Sequence, residues 1–173
     1  LEAELGGKPD AVFGMDAGRG AGLKPPEGYV PPDFSCFFPD YLGKPGFTID
    51  GNGCGHLHHG FYHFTEYISP LRNAESIREL EDYPIPDNRN WSDAALAQAG
   101  AAAHAAGWHA SVFVGHMYES AWQIRGYEPF LMDLLTQRDW AELLLDRIAA
   151  NNRHVAEAAA RADYDCIMTG DDV

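Results

Sequence analysis

Polar side chains that can handle protons directly follow two apolar runs of the chain. Asp171 and Asp172 come after one run, and His116 and Glu119 come after the other. Adjacent carboxylates repel each other, which raises the pKa of one of them and makes it a usable proton donor or acceptor. Histidine changes its charge nearest to neutral pH. These residues are candidates for proton transfer, the alternative being an exposed turn for the aspartates and a structural loop position for His116.

A further carboxylate lies in a glycine-rich segment. Asp50 ends the run Phe47–Asp50, and glycines follow at positions 51, 53 and 55. Because glycine has no side-chain bulk, a carboxylate held there can approach a ligand closely. An Asp-Gly pair is equally an ordinary turn. Asp50 is therefore a candidate catalytic residue with a purely structural alternative.

The same segment carries a cluster of thiol and imidazole side chains: Cys54, His56, His58, His59 and His63. In a strand His56 and His58 share one face, and ligands of this kind at such spacing can hold zinc. Zinc sites normally depend on ligands that a rigid scaffold and outer hydrogen bonds hold in place. Because glycines flank this segment, we expect a partly exposed hairpin without a metal, and keep Cys54, His56 and His58 only as alternative zinc ligands.

The elements that must position these residues differ between the two parts of the chain. Ten of the 11 prolines and 13 of the 18 glycines lie before residue 90. We therefore predict an irregular amino-terminal extension over residues 1–90, with a β-hairpin between 47 and 71 that turns at Gly60. A short helix over 74–81, capped by Asn73, is expected to follow.

Residues 91–173 have the pattern of alternating strands and helices. The pattern predicts a helix from Ser92 to Gly107 and a strand over 110–115. A short helix from Tyr118 and another with Pro129 in its first turn are expected next. The longest predicted helix covers 137–162, with Thr136 and Asp139 in capping-box spacing, and a strand over 165–169 follows it. On the long helix, Trp140, Leu144, Ile148 and Val155 form one apolar stripe.

Two apolar strands joined by helices are typical of a parallel βα crossover, and one such unit is too small to be a complete sheet. A barrel of eight βα units takes about 250 residues. We therefore predict the α/β class, with this chain as the amino-terminal part of a TIM (β/α)8 barrel within a larger protein. Active sites in such barrels lie at the carboxyl ends of the strands, where the candidates near 116 and 171 fall.

Composition restricts the partners. Of 173 residues, 12 are Lys or Arg and 26 are Asp or Glu, which gives a formal net charge of −14. Nucleic-acid binding needs clustered cations, and no apolar run reaches the about 18 residues that span a membrane, so neither partner is expected. The 3 cysteines lie far apart, which argues against a disulfide framework and for a reducing compartment, the cytoplasm.

Four segments together resemble the uroporphyrinogen decarboxylase superfamily. They are Glu66–Leu71, the helix from Ala74 to Leu80, Tyr83–Asp87, and above all Ala162–Asp172. This family contains the haem-pathway decarboxylase and cobalamin-linked methyltransferases that act on methylamines, methanol, halomethanes and methoxy compounds. The resemblance extends over most of residues 47–173 and implies the barrel fold.

The resemblance also assigns roles. It places Asp50 at the position of the decarboxylase aspartate that stabilises charge on the pyrrole, and Asp171 and Asp172 where the family has polar residues that contact substrate. We therefore predict that Asp50, Asp171 and Asp172 are catalytic. His116, Tyr118, Glu119 and Trp122, which follow the other strand, are predicted to bind substrate. In the decarboxylases a catalytic tyrosine falls where Trp122 stands here, and an arginine-rich motif that grips propionates is only echoed in Met15–Arg19. Both departures favour the methyltransferase branch, whose zinc ligands lie mostly in the carboxyl-terminal half of the family barrel.

Three hypotheses follow. The first is methyl transfer linked to a corrinoid, with zinc and a corrinoid supplied in the whole protein and no cofactor held by this chain. The second is decarboxylation of uroporphyrinogen-type carboxylates without a cofactor, and the third is a non-catalytic remnant. A small-molecule, tetrapyrrole or corrinoid substrate, a corrinoid protein and a homo-oligomer are the expected partners. This chain alone is expected to be inactive.

Overall fold

Short apolar runs of the chain form strands, and the alanine-rich stretch after residue 92 forms a helix. The computed structural model describes Glu4, Gly6, residues 21–60 and residues 65–171. These residues have a mixed α/β structure with one three-stranded and one two-stranded sheet, and they contain no closed barrel. No helix in the described part has the length and apolar character needed to span a lipid bilayer.

The chain divides into two compact units, each assembled from separate stretches of sequence. The described residues of the first, which we call the parallel-strand unit, come from Leu1–Pro26, Asn90–Gly115 and Arg153–Thr169. Those of the second, the hairpin unit, come from Glu27–Arg89, His116–Asn152 and Gly170–Val173. The domain division near residue 90 stays a prediction.

The sheet of the hairpin unit has three antiparallel strands. They are β1 (Phe47–Ile49), β2 (Gly55–His58) and β3 (Thr65–Ile68), and β2 lies in the middle. The predicted hairpin with its turn at Gly60 corresponds to β2 and β3, which pair with His56 opposite Tyr67. The sequence did not predict β1 as a third strand of this sheet. Residues 61–64 of the predicted hairpin lie outside the described residues.

The turn between β1 and β2 is fixed by the Asp50 carboxylate. Its Oδ1 atom accepts hydrogen bonds from the backbone N–H groups of Asn52 at 2.9 Å and Cys54 at 3.0 Å. Gly53 has φ of +82°, in the region that favours glycine. The phenol of Tyr83 donates a hydrogen bond of 2.6 Å to the carbonyl oxygen of Asn52, which ties the turn to the core of the unit.

In the described residues, a 3-10 helix (Ser35–Phe37) and four α-helices supply residues to the hairpin unit. The α-helices are α1 (Ile77–Asp82), α3 (Tyr118–Arg125), α4 (Tyr127–Thr136) and most of α5 (Arg138–Arg161). The prediction that Asn73 caps α1 is wrong, because the cap is Ser76. The Oε2 atom of Glu79 accepts the backbone N–H of Ser76 at 2.9 Å, as in a capping box.

Most of the apolar stripe predicted for the long helix α5 is confirmed. Trp140, Leu144 and Ile148 are buried in the core of the hairpin unit. Its predicted cap is wrong, because the hydroxyl of Thr136 donates to the carbonyl of Met132, at 2.8 Å, inside the last turn of α4. Arg147, which the helical pattern leaves on another face, donates to the backbone carbonyls that end α1.

The sheet of the parallel-strand unit confirms the predicted crossover. Strand β4 (Ser111–Phe113) pairs with β5 (Cys166–Met168) in parallel, with Val112 opposite Ile167. Helix α2 (Ala94–Ala105) starts two residues after the predicted Ser92. It packs against Tyr164, whose phenol donates to the carbonyl of Leu96 at 3.0 Å.

Asp165 ties α2 to the start of both strands. Its Oδ2 atom lies 2.8 Å from Nε2 of His104 and accepts the backbone N–H of Ala110 at 2.8 Å. The Ala110 N–H, and then His104, hold the pKa of the Asp165 carboxyl below its usual value. The Asp165 carboxylate therefore takes the place of a backbone acceptor for the Ala110 N–H, just before β4 begins.

Two glycines of the β1–β2 turn provide a matched test of this packing. A Cβ atom at Gly53 would lie 2.2 Å from the Tyr83 hydroxyl and 2.3 Å from a Phe34 ring carbon, whereas one at Gly51 would meet nothing within 4 Å. We expect Gly53→Ala to lower the free energy of unfolding by about 2 kcal/mol or more, because strain and overlap add. Gly51→Ala should change it by less than about 0.5 kcal/mol. Urea denaturation of both variants measures this, and equal effects would contradict the packing.

Candidate functional site

The Asp171 carboxylate holds the start of α3. Its oxygens accept the backbone N–H of Met117, at 3.0 and 3.2 Å, and that of Glu119, at 3.0 Å. These are first-turn donors that have no partner within the helix, and a negative charge is favourable at this end of the helix dipole. A residue distant in sequence thus provides the cap.

His116 lies between two carboxylates. Its Nδ1 atom is 3.1 Å from Oε2 of Glu119 and 3.8 Å from Oδ1 of Asp171. The carbonyl of His116 accepts a hydrogen bond of 3.2 Å from the Asn152 amide on α5. Three of the residues predicted to do chemistry are therefore brought together, in an arrangement that can accept or release a proton.

The Asp171 carboxylate is an anion at neutral pH. Burial opposes its ionisation, but the backbone N–H donors of the α3 start, and then nearby His116, hold its pKa below the usual value of 3.8. Asp171 is therefore not the member of the aspartate pair whose pKa is raised. Because Asp172 lies outside the described residues, the raised pKa of one aspartate of the pair stays a prediction.

Asp50 is paired with a histidine. Its Oδ2 atom lies 2.9 Å from Nε2 of His56, while Oδ1 is occupied by the turn. The His56 ring packs against Tyr67, with ring centroids 5.1 Å apart. Asp50 thus binds three residues of the β1–β2 segment, which supports a structural role. The same carboxylate orients the His56 imidazole.

Three aromatic rings continue from this pair, and we call Tyr67, Trp122 and Tyr127 the aromatic strip. The Tyr67 and Trp122 centroids are 5.4 Å apart with planes at 78°, and those of Trp122 and Tyr127 are 5.7 Å apart at 88°. Such edge-to-face pairs are the arrangement that aromatic quadrupoles favour. Tyr67 is 41% and Tyr127 is 57% exposed, so the strip presents ring surface to solvent.

The junction of α3 and α4 positions the last ring of the strip. Gly126 separates the two helices with φ of +100°, and its backbone N–H donates to the carbonyl of Trp122 at 2.7 Å. This residue lets Tyr127 return against Trp122. The side chain of Tyr118, another predicted substrate-binding residue, hydrogen-bonds to Tyr127.

All described candidates belong to the hairpin unit: Asp50, His116, Tyr118, Glu119, Trp122 and Asp171. They form two groups joined by α3, one around His116 and one along the aromatic strip. The sequence analysis did not select Tyr67 or Tyr127. A signal for Tyr67 was present, since it lies within the Glu66–Leu71 segment, whereas nothing local distinguishes Tyr127.

Among the described residues, no three potential metal ligands of the cysteine and histidine cluster come together. The Cys54 side chain is buried, and this burial, followed by the Asp50 charge, raises the pKa of its thiol. A protonated thiol is a poor zinc ligand. His58 lies 3.0 Å from the hydroxyl of Thr65, and His59 lies 2.9 Å from Glu66. His63 is outside the described residues.

Comparisons of this chain with protein-family models, with curated proteins and with solved structures found no match. The family assignment therefore stays a prediction from sequence motifs.

The lowered pKa of Asp171 gives a test. A group whose pKa is lower in the folded state stabilises the fold above its unfolded pKa, and this contribution is lost as pH falls through the folded value. We expect Asp171→Asn to lower the free energy of unfolding at pH 7, and the difference from the parent chain to shrink as pH falls from 5 through 3.8 and below.

Urea titrations across this pH range measure the effect. Asp40→Asn, at an exposed carboxylate of the same unit, is the control, and we expect it to leave the free energy of unfolding nearly unchanged. A difference for Asp171→Asn that stays constant or grows on acidification would show that the carboxylate is not stabilised by its N–H donors.

Proposed function

We propose that this chain is part of an enzyme resembling the uroporphyrinogen decarboxylase superfamily and that the enzyme catalyses methyl transfer linked to a corrinoid. The observation that supports this best is the convergence of separate segments on one unit. Asp50 and Tyr67 come from the hairpin, Trp122 and Glu119 from α3, and Asp171 from the end of the described chain. The site combines carboxylates, imidazoles and flat apolar rings.

For the fold, we propose the amino-terminal part of a (β/α)8 barrel. The parallel pairing of β4 and β5 supports it, since parallel neighbours require a crossover and here helices α3 to α5 supply one. In the described residues these strands pair only with each other, and purely parallel sheets normally contain more strands. The site residues His116 and Asp171 follow β4 and β5 in sequence, as expected for residues at the catalytic end of a barrel.

Charge favours methyl transfer over decarboxylation of a substrate with many carboxylates. Such a substrate needs cationic partners when it is buried. In the described residues Asp50, Glu119 and Asp171 pair with histidines and with amide or backbone N–H groups, and no Lys or Arg forms an ion pair with them. Arg125 is committed to a buried pair with Asp133, at 2.7 Å.

The described residues offer apolar ring surface and no set of three zinc ligands. The aromatic strip supplies ring surface that a corrinoid or a methyl donor would contact, and the exposure of Tyr67 and Tyr127 makes it accessible. A bound corrinoid would supply the cobalt centre for methyl transfer. No three potential zinc ligands meet in the described part of the chain, so no step is assigned to zinc in these residues.

Each residue group then has a task. The aromatic strip orients the bound molecule and excludes water from one side of it. His116, between Glu119 and Asp171, holds or moves a proton at its imidazole. Asp171 keeps this group at the start of α3 through its two backbone contacts and acts as a positioning residue.

Isotope transfer tests the proposal. The whole protein that contains this chain is supplied with reduced cobalamin and with methyl-labelled amine, methanol and methoxy donors, and label in the cobalamin fraction is counted. We expect transfer from at least one donor, and a loss of about tenfold or more for Trp122→Leu, because orientation is lost. Glu27→Gln, at an exposed position of the hairpin unit, is the control and should retain activity.

Uroporphyrinogen is the substrate that tests the alternative hypothesis in the same experiment. Metal-free turnover of this compound, without methyl transfer from any donor, would contradict the proposal and support the decarboxylase hypothesis. Absence of both activities in the folded whole protein would support the non-catalytic hypothesis.

A further inference from the structure

A cleft of about 330 Å³ lies in the hairpin unit, between the segment that follows α1 and the helix α5. Residues of the segment 85–89 line it from one side, and α5 residues between 143 and 151 line it from the other. None of the candidate site residues that the structure describes is among them. A volume at the lower end of the range for ligand pockets suits a small molecule.

The wall of the cleft opposite α5 is held in place by its own chain. Pro84 and Pro86 restrict the backbone and favour an extended segment. The amide of Asn151 on α5 then binds this segment on both sides of Asp87. Its Nδ2 donates to the carbonyl of Pro86, at 2.6 Å, and its Oδ1 accepts the backbone N–H of Asn88, at 3.1 Å. The two walls are therefore fixed before a ligand binds, which lowers the cost of binding.

Apolar side chains line part of the cleft. Ile85 and Pro86 contribute from the extended segment, and Leu143 and Ala150 contribute from α5. Ile85 and Leu143 are partly buried and pack against the core of the unit. A ligand that covers these side chains removes apolar surface from water. The cleft therefore suits a molecule with a hydrocarbon part.

One charged pair in the cleft is already neutralised. The Nε and Nη2 atoms of Arg89 donate to the two carboxylate oxygens of Asp87, at 2.8 and 2.6 Å. Such a bidentate pair is among the strong charge-assisted contacts. Arg89 and Asp87 together contribute no net charge to the cleft.

The other two charged residues of the cleft are Asp146 and Arg147. The Arg147 guanidinium donates to the carbonyls of Leu80 and Tyr83, which occupies two of its five N–H groups. Burial lowers the pKa of Arg147, but an arginine stays protonated in a protein. Neither Asp146 nor Arg147 forms an ion pair with a described residue. Adjacent positions of a helix do not face each other, so one cation and one anion are left for a ligand.

We propose that this cleft binds a free α-amino acid with an apolar side chain. Arg147 binds the carboxylate, Asp146 binds the ammonium group, and the side chain of the ligand covers Ile85 and Leu143. A purely anionic ligand would leave Asp146 without a partner, and a purely cationic ligand would leave Arg147 without one. A zwitterion complements both charges. Because the cleft contains no residue to which the proposed function assigns a task, the inference does not depend on that function.

Three matched ligands test the charge requirement. The full chain is titrated calorimetrically with valine, leucine and phenylalanine, and we expect at least one to bind with a Kd of about 1 mM or tighter. The amino acid that binds most tightly is then compared with its deaminated acid and its decarboxylated amine, which for leucine are 4-methylpentanoate and 3-methylbutylamine. Each analogue should bind at least about tenfold more weakly, because one charge of the cleft loses its partner. Absence of binding by all three amino acids, or equal affinity of either analogue, would overturn the inference.

Variants of α5 locate the site. Asp146→Asn should weaken amino-acid binding about fivefold or more and should not weaken binding of the deaminated acid, since only the ammonium group loses its partner. Arg147→Gln should weaken binding of the amino acid and of the deaminated acid alike. Glu142→Gln and Arg138→Gln, at an exposed ion pair of the same helix outside the cleft, are the matched controls and should leave binding unchanged.

Circular dichroism checks that the variants are folded. Arg147 also holds the end of α1, so if Arg147→Gln is unfolded, the exposed Asp146→Asn decides alone. Unchanged amino-acid binding in Asp146→Asn contradicts the inference, and so does an equal loss of binding in Glu142→Gln.

Discussion

The arrangement of the candidate site depends on one interaction, the hydrogen bonds from the start of α3 to the Asp171 carboxylate. A helix of this length is marginal by itself, because the cost of nucleation is spread over few residues. An anion at its first turn satisfies donors that would otherwise be unpaired and complements the helix dipole. The same contact places Glu119 beside His116, and Trp122 follows on the next turn. Loss of this carboxylate would therefore affect both groups of the site.

The charge balance constrains what such a site can bind. The hairpin unit uses its guanidinium groups internally: Arg125 donates to Asp133 and to the carbonyl of Leu71, and Arg147 donates to the carbonyls of Leu80 and Tyr83. The carboxylates near the aromatic strip are left with histidine and N–H partners. Aromatic rings beside carboxylates that have no Lys or Arg partner among the described residues disfavour polyanions and favour neutral or cationic molecules. Charge therefore separates the functional hypotheses better than shape does.

Strong local signals made part of this structure predictable. The stripe of Trp140, Leu144 and Ile148 repeats over several turns, and the apolar runs around Val112 and Ile167 are typical of parallel strands. The two strands do pair in parallel, but burial on both faces is not observed, since Ile167 is 41% exposed. The cap of α1 could also have been found, since Ser76 and Glu79 have capping-box spacing, which Asn73 lacks. The contact of Asp171 with Met117 spans 54 residues, and the Tyr67–Trp122 contact joins a strand to a helix. Neither leaves a local pattern, because tertiary packing sets them.

Amide hydrogen exchange at the start of α3 measures directly whether Asp171 holds this helix. We expect the N–H groups of Met117 and Glu119 to exchange slowly in the parent chain and to become fast in Asp171→Asn, while amides in the middle of α5 around Leu144 keep their protection. Fast exchange of both amides in the parent chain, or protection that is unchanged in the variant, would contradict the claim that this carboxylate organises the site.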